Sequence, residues 1–148
     1  MIPKGLAVAA GIGAISGVIF GLIFVDFANL EQLVFVEGSS VSIVTGKTDF
    51  KKGEPINIRI VNSGTSPIIF SDSSYGLKIT QLDGIELYSP PYTEKISTLQ
   101  PGDEASFIWD QIKNDGDAVL HGTYKIITKG TDENQDEVKR SITINIFK

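Results

Sequence analysis

The sequence predicts an all-β antiparallel sandwich of about seven to nine strands, preceded by one transmembrane helix. Three observations carry this prediction. The chain has only 148 residues, which is room for one domain. The segment from Gly5 to Val25 contains no charged residue. After Ser40, apolar and polar residues alternate with a period of two in short runs separated by turn residues, which is typical of strands buried on one face.

The composition excludes several classes of protein. The chain lacks cysteine, so no disulfide, thiolate metal site or cysteine nucleophile can form. Its single histidine, His121, is too few for a multi-histidine metal site. The formal net charge of −5 does not favour nucleic acid as a partner, because phosphate binding needs a basic face. No catalytic motif or phosphate-binding loop stands in the sequence. We therefore expect a protein that is not an enzyme and that uses no metal or cofactor.

The first element is the predicted transmembrane helix, which we place at residues 5–27. Its uncharged part of about 21 residues spans about 31 Å as a helix, which matches the hydrocarbon core of a bilayer. Two alternatives remain open. One is a cleaved secretory signal. The other is a pilin-type leader cut after Gly5, because Lys4-Gly5-Leu6 resembles the processing motif of archaeal prepilins.

The charges on either side of this helix predict its orientation. Lys4 and the free amine precede the helix, whereas Asp26, Glu31 and Glu37 follow it. Positive charge favours the cytoplasmic side, so residues 1–4 should lie in the cytoplasm and the rest of the chain outside. The sequence thus predicts a single-pass protein of the cell membrane with an extracytoplasmic domain.

One side of the predicted helix consists of small residues. Ala9, Gly13, Gly17 and Gly21 recur every four positions and would form a nearly continuous ridge. Such a ridge lets two helices approach closely in the bilayer. We therefore expect these residues to pack against another membrane protein, or against a second copy of this chain. The alternative is a helix that is merely rich in glycine.

The remainder divides into a connecting segment at residues 28–39, read as a helical continuation or a short stalk, and a sandwich domain at residues 40–148. Turn residues separate the alternating runs, and Asp83-Gly84 between Leu82 and Ile85 predicts a two-residue hairpin turn. The alternating runs lie at residues 56–60, 77–80, 106–110, 123–126 and 138–146.

Five stretches of the domain run from Phe50 to Gly64, Tyr75 to Gly84, Leu99 to Asp103, Phe107 to Gln111 and Gly122 to Tyr124. In this order and spacing they are similar to the domain of the intracellular proteinase inhibitors of the BsuPI type. The resemblance implies an immunoglobulin-like fold and, as an activity, inhibition of a protease. A helix followed by such a sandwich also resembles the stator and adhesion-type accessory proteins of archaeal surface filaments.

Several side chains are candidates for structural roles. Trp109 alternates with Phe107 on the apolar face of its run, which places it in the core. Tyr124 resembles the corner tyrosine of immunoglobulin-like sandwiches, whose hydroxyl binds the backbone. His121 is expected to face solvent or to bond the backbone. The acidic residues from Asp132 to Glu137 fit no calcium loop and predict a solvated hairpin tip.

The candidate for partner contact is the segment containing Tyr88, Pro90, Pro91 and Tyr92. Proline cannot donate to a strand ladder, so the segment should be a loop or an edge. The two tyrosines offer rigid amphipathic contact area, which protein interfaces favour. The alternative is a simple loop whose rings lie on the sandwich.

Three functions are compatible with the sequence. The first is a membrane-anchored, extracytoplasmic binding or scaffold module, acting as a small accessory subunit of a membrane or envelope complex. Its partners would be the lipid bilayer and other membrane proteins. The second is a type IV pilin-like or archaellum-associated filament or stator protein. The third is a membrane-anchored protease inhibitor.

Overall fold

A computed structural model describes residues 33–148. The predicted transmembrane helix, with the ridge of Ala9, Gly13, Gly17 and Gly21, lies outside these residues. Within residues 33–148, no helix is long and apolar enough to cross a membrane.

The described part is an all-β domain of ten strands in two sheets, which confirms the all-β class. The strands are β1 (Val41–Thr45), β2 (Asp49–Lys51), β3 (Ile56–Asn62), β4 (Ile68–Phe70), β5 (Lys78–Gln81), β6 (Glu86–Tyr88), β7 (Ser97–Leu99), β8 (Glu104–Trp109), β9 (Gly122–Thr131) and β10 (Glu137–Phe147). The first sheet has the order β1-β3-β8, and the second contains the other seven strands. Each of the five alternating runs overlaps a strand. The structure has more strands than the expected seven to nine. The strands β2, β4, β6 and β7 have only three residues each, which is too short for an alternating pattern to be recognised in the sequence.

The two sheets pack face to face around one apolar core, as in a sandwich. The alternation in β3 buries Ile56, Ile58 and Ile60 completely. Trp109 at the end of β8 is 1% exposed, and its indole Nε1 donates to the carbonyl oxygen of Ile112 at 3.0 Å. The prediction that Trp109 belongs to the core is confirmed.

The long strand β9 organises the second sheet. One edge of β9 pairs along its length with β10, and the opposite edge pairs with β5 and β4. Near its start, the Tyr124 hydroxyl donates to the carbonyl oxygen of Leu120 at 2.5 Å. Burial raises the pKa of Tyr124. This is the corner arrangement that the sequence predicts for Tyr124.

One strand pair departs from the expected antiparallel order. β2 runs parallel to β10, with Phe50 opposite Ile146, and the Asn145 side chain donates to the Asp49 carboxylate at 2.8 Å. The chain leaves the first sheet after β1 and enters the second sheet at β2. An alternating pattern reports which face of a strand is buried and carries no information about the direction of its partner, so the parallel pair was not predictable from it.

The hairpin between β5 and β6 also differs in detail. Gly84 N donates to the Gln81 carbonyl at 3.0 Å, and Gln81 N donates to the Ile85 carbonyl at 2.9 Å. The loop therefore has three residues rather than the two predicted, with Gly84 in the left-handed region at φ 91°. This is the three-residue hairpin in which glycine takes the bulge position.

The described end of the connecting segment, residues 33–39, forms no helix. It is bonded to the β3–β4 loop, because Val36 N donates to the Ser63 carbonyl at 2.9 Å and Thr65 N donates to the Gly38 carbonyl at 2.8 Å. A Cβ atom at Gly64 would lie 2.1 Å from the Gly38 oxygen. Only glycine permits this close approach of the two segments.

Candidate functional site

The segment from Tyr88 to Tyr92 forms one wall of an open groove at the edge of the domain. Tyr88 ends β6, and residues 89–96 form the connection to β7. The two prolines thus stand outside the ladder, as their missing amide donor requires. The groove encloses about 790 Å³.

The second wall comes from the end of β8 and the loop that follows it. Its residues are Ile108, Asp110, Ile112, Lys113 and Asn114. None of these five residues was among the predicted contact residues. One signal in the sequence does indicate Ile108, because the alternation of β8 puts this isoleucine on the polar face of the strand.

The four predicted contact residues differ in exposure. Tyr92 is 57% exposed and Pro91 is also exposed, whereas Pro90 is buried. Tyr88 is half-buried, and its ring centroid lies 5.8 Å from that of Trp109. Burial raises the pKa of Tyr88, and the negative charge of Asp110 adds to the rise. Tyr88 therefore packs the wall against the core, and Tyr92 with Pro91 presents its surface.

Two apolar side chains of the second wall are also open to solvent. Ile108 is 68% exposed, and Ile112 lies within the same groove. Together with the Tyr92 ring they give the groove an exposed apolar patch beside its polar side chains. Exposed apolar groups that converge in one concavity are typical of a binding surface.

Hydrogen bonds connect the two walls. Asn114 N donates to the Leu87 carbonyl at 3.0 Å. The Ser89 amide donates to the Asn114 side-chain oxygen, and the Asn114 side-chain amide donates to the Ser89 hydroxyl, each at 3.3 Å. The relative position of the walls is therefore set within the domain before any partner binds.

Gln111 holds the loop after β8 against β2. It is 2% exposed and adopts a left-handed conformation at φ 65°. Its side-chain oxygen accepts from Gly53 N at 2.9 Å. Its side-chain nitrogen donates to the carbonyls of Lys51 and Glu54 at 2.8 and 2.9 Å. Sequence reasoning gave Gln111 no such role, because a glutamine after an alternating strand carries no sign of burial.

The charged residues of the groove are few. Asp110 is exposed and accepts a hydrogen bond from Ile112 N at 3.1 Å. Lys113 lies 3.5 Å from the Asp115 carboxylate. A backbone hydrogen bond from Asp117 lowers the pKa of Asp115. Asp110 lines the groove, and its carboxylate has no ion-pair partner among residues 33–148.

The acidic turn between β9 and β10 is built differently from the expected solvated tip. Asp132 is buried, and its Oδ1 accepts from the amides of Asn134 and Asp136 at 2.8 and 3.0 Å. Its Oδ2 accepts from the Ser39 hydroxyl at 3.0 Å. The hydrogen bond from Asp136 is the main cause that lowers the pKa of Asp132. Asp132 therefore shapes the turn, whereas Glu133, Asp136 and Glu137 are exposed. His121 is exposed to solvent, as the sequence predicts.

Comparison with known proteins gives a distant likeness in structure only. No family model matches the chain, and no curated protein matches it. The domain is similar to Spo0M, a sporulation control protein from Bacillus subtilis, with a TM-score of 0.41 and 15% identity over 76% of this chain and 51% of that chain. It is also similar to PorZ, a surface component of the type-IX secretion system of Porphyromonas gingivalis. There the TM-score is 0.34 with 13% identity over 80% of this chain and 16% of that one. The chain thus spans about half of the first protein and a sixth of the second.

Proposed function

We propose that this chain is a single-pass membrane protein whose extracytoplasmic, immunoglobulin-like domain binds another protein. It would act as a small non-catalytic accessory subunit of a membrane or cell-envelope complex. The observation that carries the proposal is the groove between the Tyr88–Tyr92 segment and the end of β8, with its exposed apolar patch of Tyr92, Ile108 and Ile112.

The groove has the properties of an interface that loses little entropy on binding. Its walls are tied together through Asn114 and Ser89, so little ordering is needed when a partner arrives. Tyr92 presents a large ring with few rotatable bonds, and such rings dominate the energy of many interfaces. Ile108 adds apolar area next to it.

The immunoglobulin-like assignment is supported by two features of the core. Tyr124 lies near the start of β9 and bonds the backbone four residues upstream. Trp109 is buried between the sheets. A corner tyrosine and a buried tryptophan are both hallmarks of immunoglobulin sandwiches.

The membrane part of the proposal rests on the sequence. Residues 5–27 have the length and composition of a transmembrane helix, and Lys4 before it favours a cytoplasmic N-terminus. The ridge from Ala9 to Gly21 offers a second contact, within the bilayer, to the same complex.

The test is recovery of the partner. The full chain is extracted from native membranes in mild detergent, and the proteins that accompany it are identified and quantified. Tyr92→Ala removes an exposed ring of the groove. Phe147→Ala is the matched control, because Phe147 is 45% exposed and lies outside the groove.

We expect Tyr92→Ala to reduce recovery of one accompanying protein by about tenfold or more, while Phe147→Ala leaves it unchanged. Equal recovery with both variants would remove the groove from the proposal. A protease as the accompanying protein would favour the inhibitor alternative.

A further inference from the structure

The outer edge of β8 is open. β8 pairs with β3 on one side only, and within residues 33–148 no strand pairs with its other side. Asn62 N donates to the Asp103 carbonyl, which fixes the phase of the ladder. Since bonded pairs alternate in an antiparallel ladder, the backbone groups of Ala105, Phe107 and Trp109 face β3. Those of Glu104, Ser106 and Ile108 face outward.

The phase is confirmed from the other side of β3. Ser63 N donates to the Ser40 carbonyl at 3.0 Å, so the odd-numbered positions of β3 bond β1 and the even-numbered ones bond β8. The outward N–H and C=O groups of Glu104, Ser106 and Ile108 therefore form a row about 6.6 Å apart, ready to pair with an extended chain.

This edge opens onto the groove at its Ile108 end. Ile108 and Asp110 both line the groove, with the Tyr88–Tyr92 segment as the opposite wall. Natural sheets protect open edges with proline, lysine or a covering loop. β8 contains neither proline nor lysine, and its one charge, Glu104, lies 3.2 Å from Arg59. The edge is therefore left usable for pairing.

The charge of the groove favours a basic segment of a partner protein over a second copy of this chain. Asp110 has no ion-pair partner among the described residues, whereas Lys113 forms an ion pair with Asp115. A basic side chain in the groove would complement Asp110. A second copy of this chain is disfavoured, because each copy carries a net charge of −5 and like charges repel.

From these observations we propose that β8 binds an extended segment of a partner protein as an added strand. In the segment, apolar side chains alternate with polar ones, and one Lys or Arg faces Asp110. The main chain of the segment bonds the outward groups of Glu104, Ser106 and Ile108, and its apolar side chains lie against Ile108 and Tyr92. This inference rests on the proposed function and specifies the chemistry of the partner.

The probe is a phage-displayed library of random dodecapeptides, selected on the full chain in lipid nanodiscs after subtraction on empty nanodiscs. Enriched sequences are synthesised, and their Kd is measured by calorimetry on the same nanodiscs. We expect the enriched peptides to alternate apolar and polar residues and to carry Lys or Arg.

Ser106→Pro is the decisive variant, with Ser106→Ala as its matched control. The amide of Ser106 faces outward, so proline removes a donor to the added strand and none to β3. We expect Ser106→Pro to weaken peptide binding by about tenfold or more and Ser106→Ala to leave it unchanged. Asp110→Asn keeps the oxygen that accepts from Ile112 and should weaken only the basic peptides, by about fivefold.

A second measurement leaves the protein unaltered. Methylation of alternate backbone nitrogens of the best peptide should abolish binding in one register and spare it in the other, because only alternate amides face β8. Four results would overturn the inference. These are no enrichment over empty nanodiscs, equal binding to Ser106→Pro and Ser106→Ala, equal effects of methylation in both registers, and a dimer of the chain that Ser106→Pro dissociates. If Tyr92→Ala still loses the native partner in any of these cases, the proposed function stands and strand addition alone fails.

Discussion

Replacing Gln111 tests how the groove is built, because this one side chain holds the loop after β8 in place. It makes three hydrogen bonds to the backbone of residues 51–54 and is almost completely buried. Each bond is worth about 1 kcal/mol, so Gln111→Ala should lower the free energy of unfolding by about 3 kcal/mol. For a domain of this size, that loss corresponds to a fall in Tm of roughly 10 °C or more.

A second substitution separates the bonds from the backbone strain. Gln111 stands at φ 65°, which costs a residue with a Cβ about 1 kcal/mol relative to glycine. Gln111→Gly loses the same three bonds but relieves the strain. It should therefore cost about 2 kcal/mol, which is less than Gln111→Ala.

The assay is urea denaturation of the full chain in detergent, followed by fluorescence. Trp109 is the only tryptophan in the sequence and lies two residues from the substitution, so its emission reports on this region directly. A loss below about 1 kcal/mol for Gln111→Ala would refute the assigned role of the three bonds. If Gln111→Gly lowers the free energy of unfolding by as much as Gln111→Ala or more, the assigned backbone strain at position 111 is refuted.

Three further predictions concern the core, the corner and the N-terminus. Trp109→Ala should cost about 3 to 5 kcal/mol, measured by thermal circular dichroism; a loss under about 1 kcal/mol would contradict its burial. Tyr124→Phe should cost about 1 kcal/mol by removing the bond to Leu120. Burial raises the pKa of Tyr124 above 10.0, so the wild-type domain should lose this stability as the pH rises through that higher value, while Tyr124→Phe shows a smaller alkaline loss. The intact mass of the membrane-extracted protein should include the predicted helix at residues 5–27. A start at Leu6 would favour the pilin-like alternative, and one near Asn29 a secreted protein.

The sequence predicted those strands whose burial is one-sided and long enough to show a period. β3 and β10 are clear examples, because buried isoleucines alternate with polar residues along each of them. The strand β1 was not predicted from alternation, because all five of its residues are buried. Three-residue strands such as β4 are too short for any period, and their pairing is decided by tertiary contacts.

The sequence predicted one of the two walls of the candidate site. The prolines and tyrosines of the Tyr88–Tyr92 segment indicated the first wall, because each of these residue types has a local physical consequence that can be predicted from sequence. The second wall comes from the end of β8, which belongs to the other sheet, so it lies beside the first wall only through the packing of the two sheets and the Asn114 bonds. Even within the first wall, the sequence could not predict that Pro90 is buried while Tyr92 is exposed, because burial within a loop depends on tertiary packing. The small-residue ridge from Ala9 to Gly21 lies outside the described residues and stays a prediction.

The most direct test of the proposed binding role is photocrosslinking in native membranes. A benzophenone amino acid is placed at Tyr92 in the groove or, as a control, at Phe147 outside it, and adducts are identified by mass spectrometry. Irradiation should give one dominant protein adduct from position 92 and none of that mass from position 147. If neither position, or both equally, gives the adduct, the groove is not the surface through which this domain binds its partner.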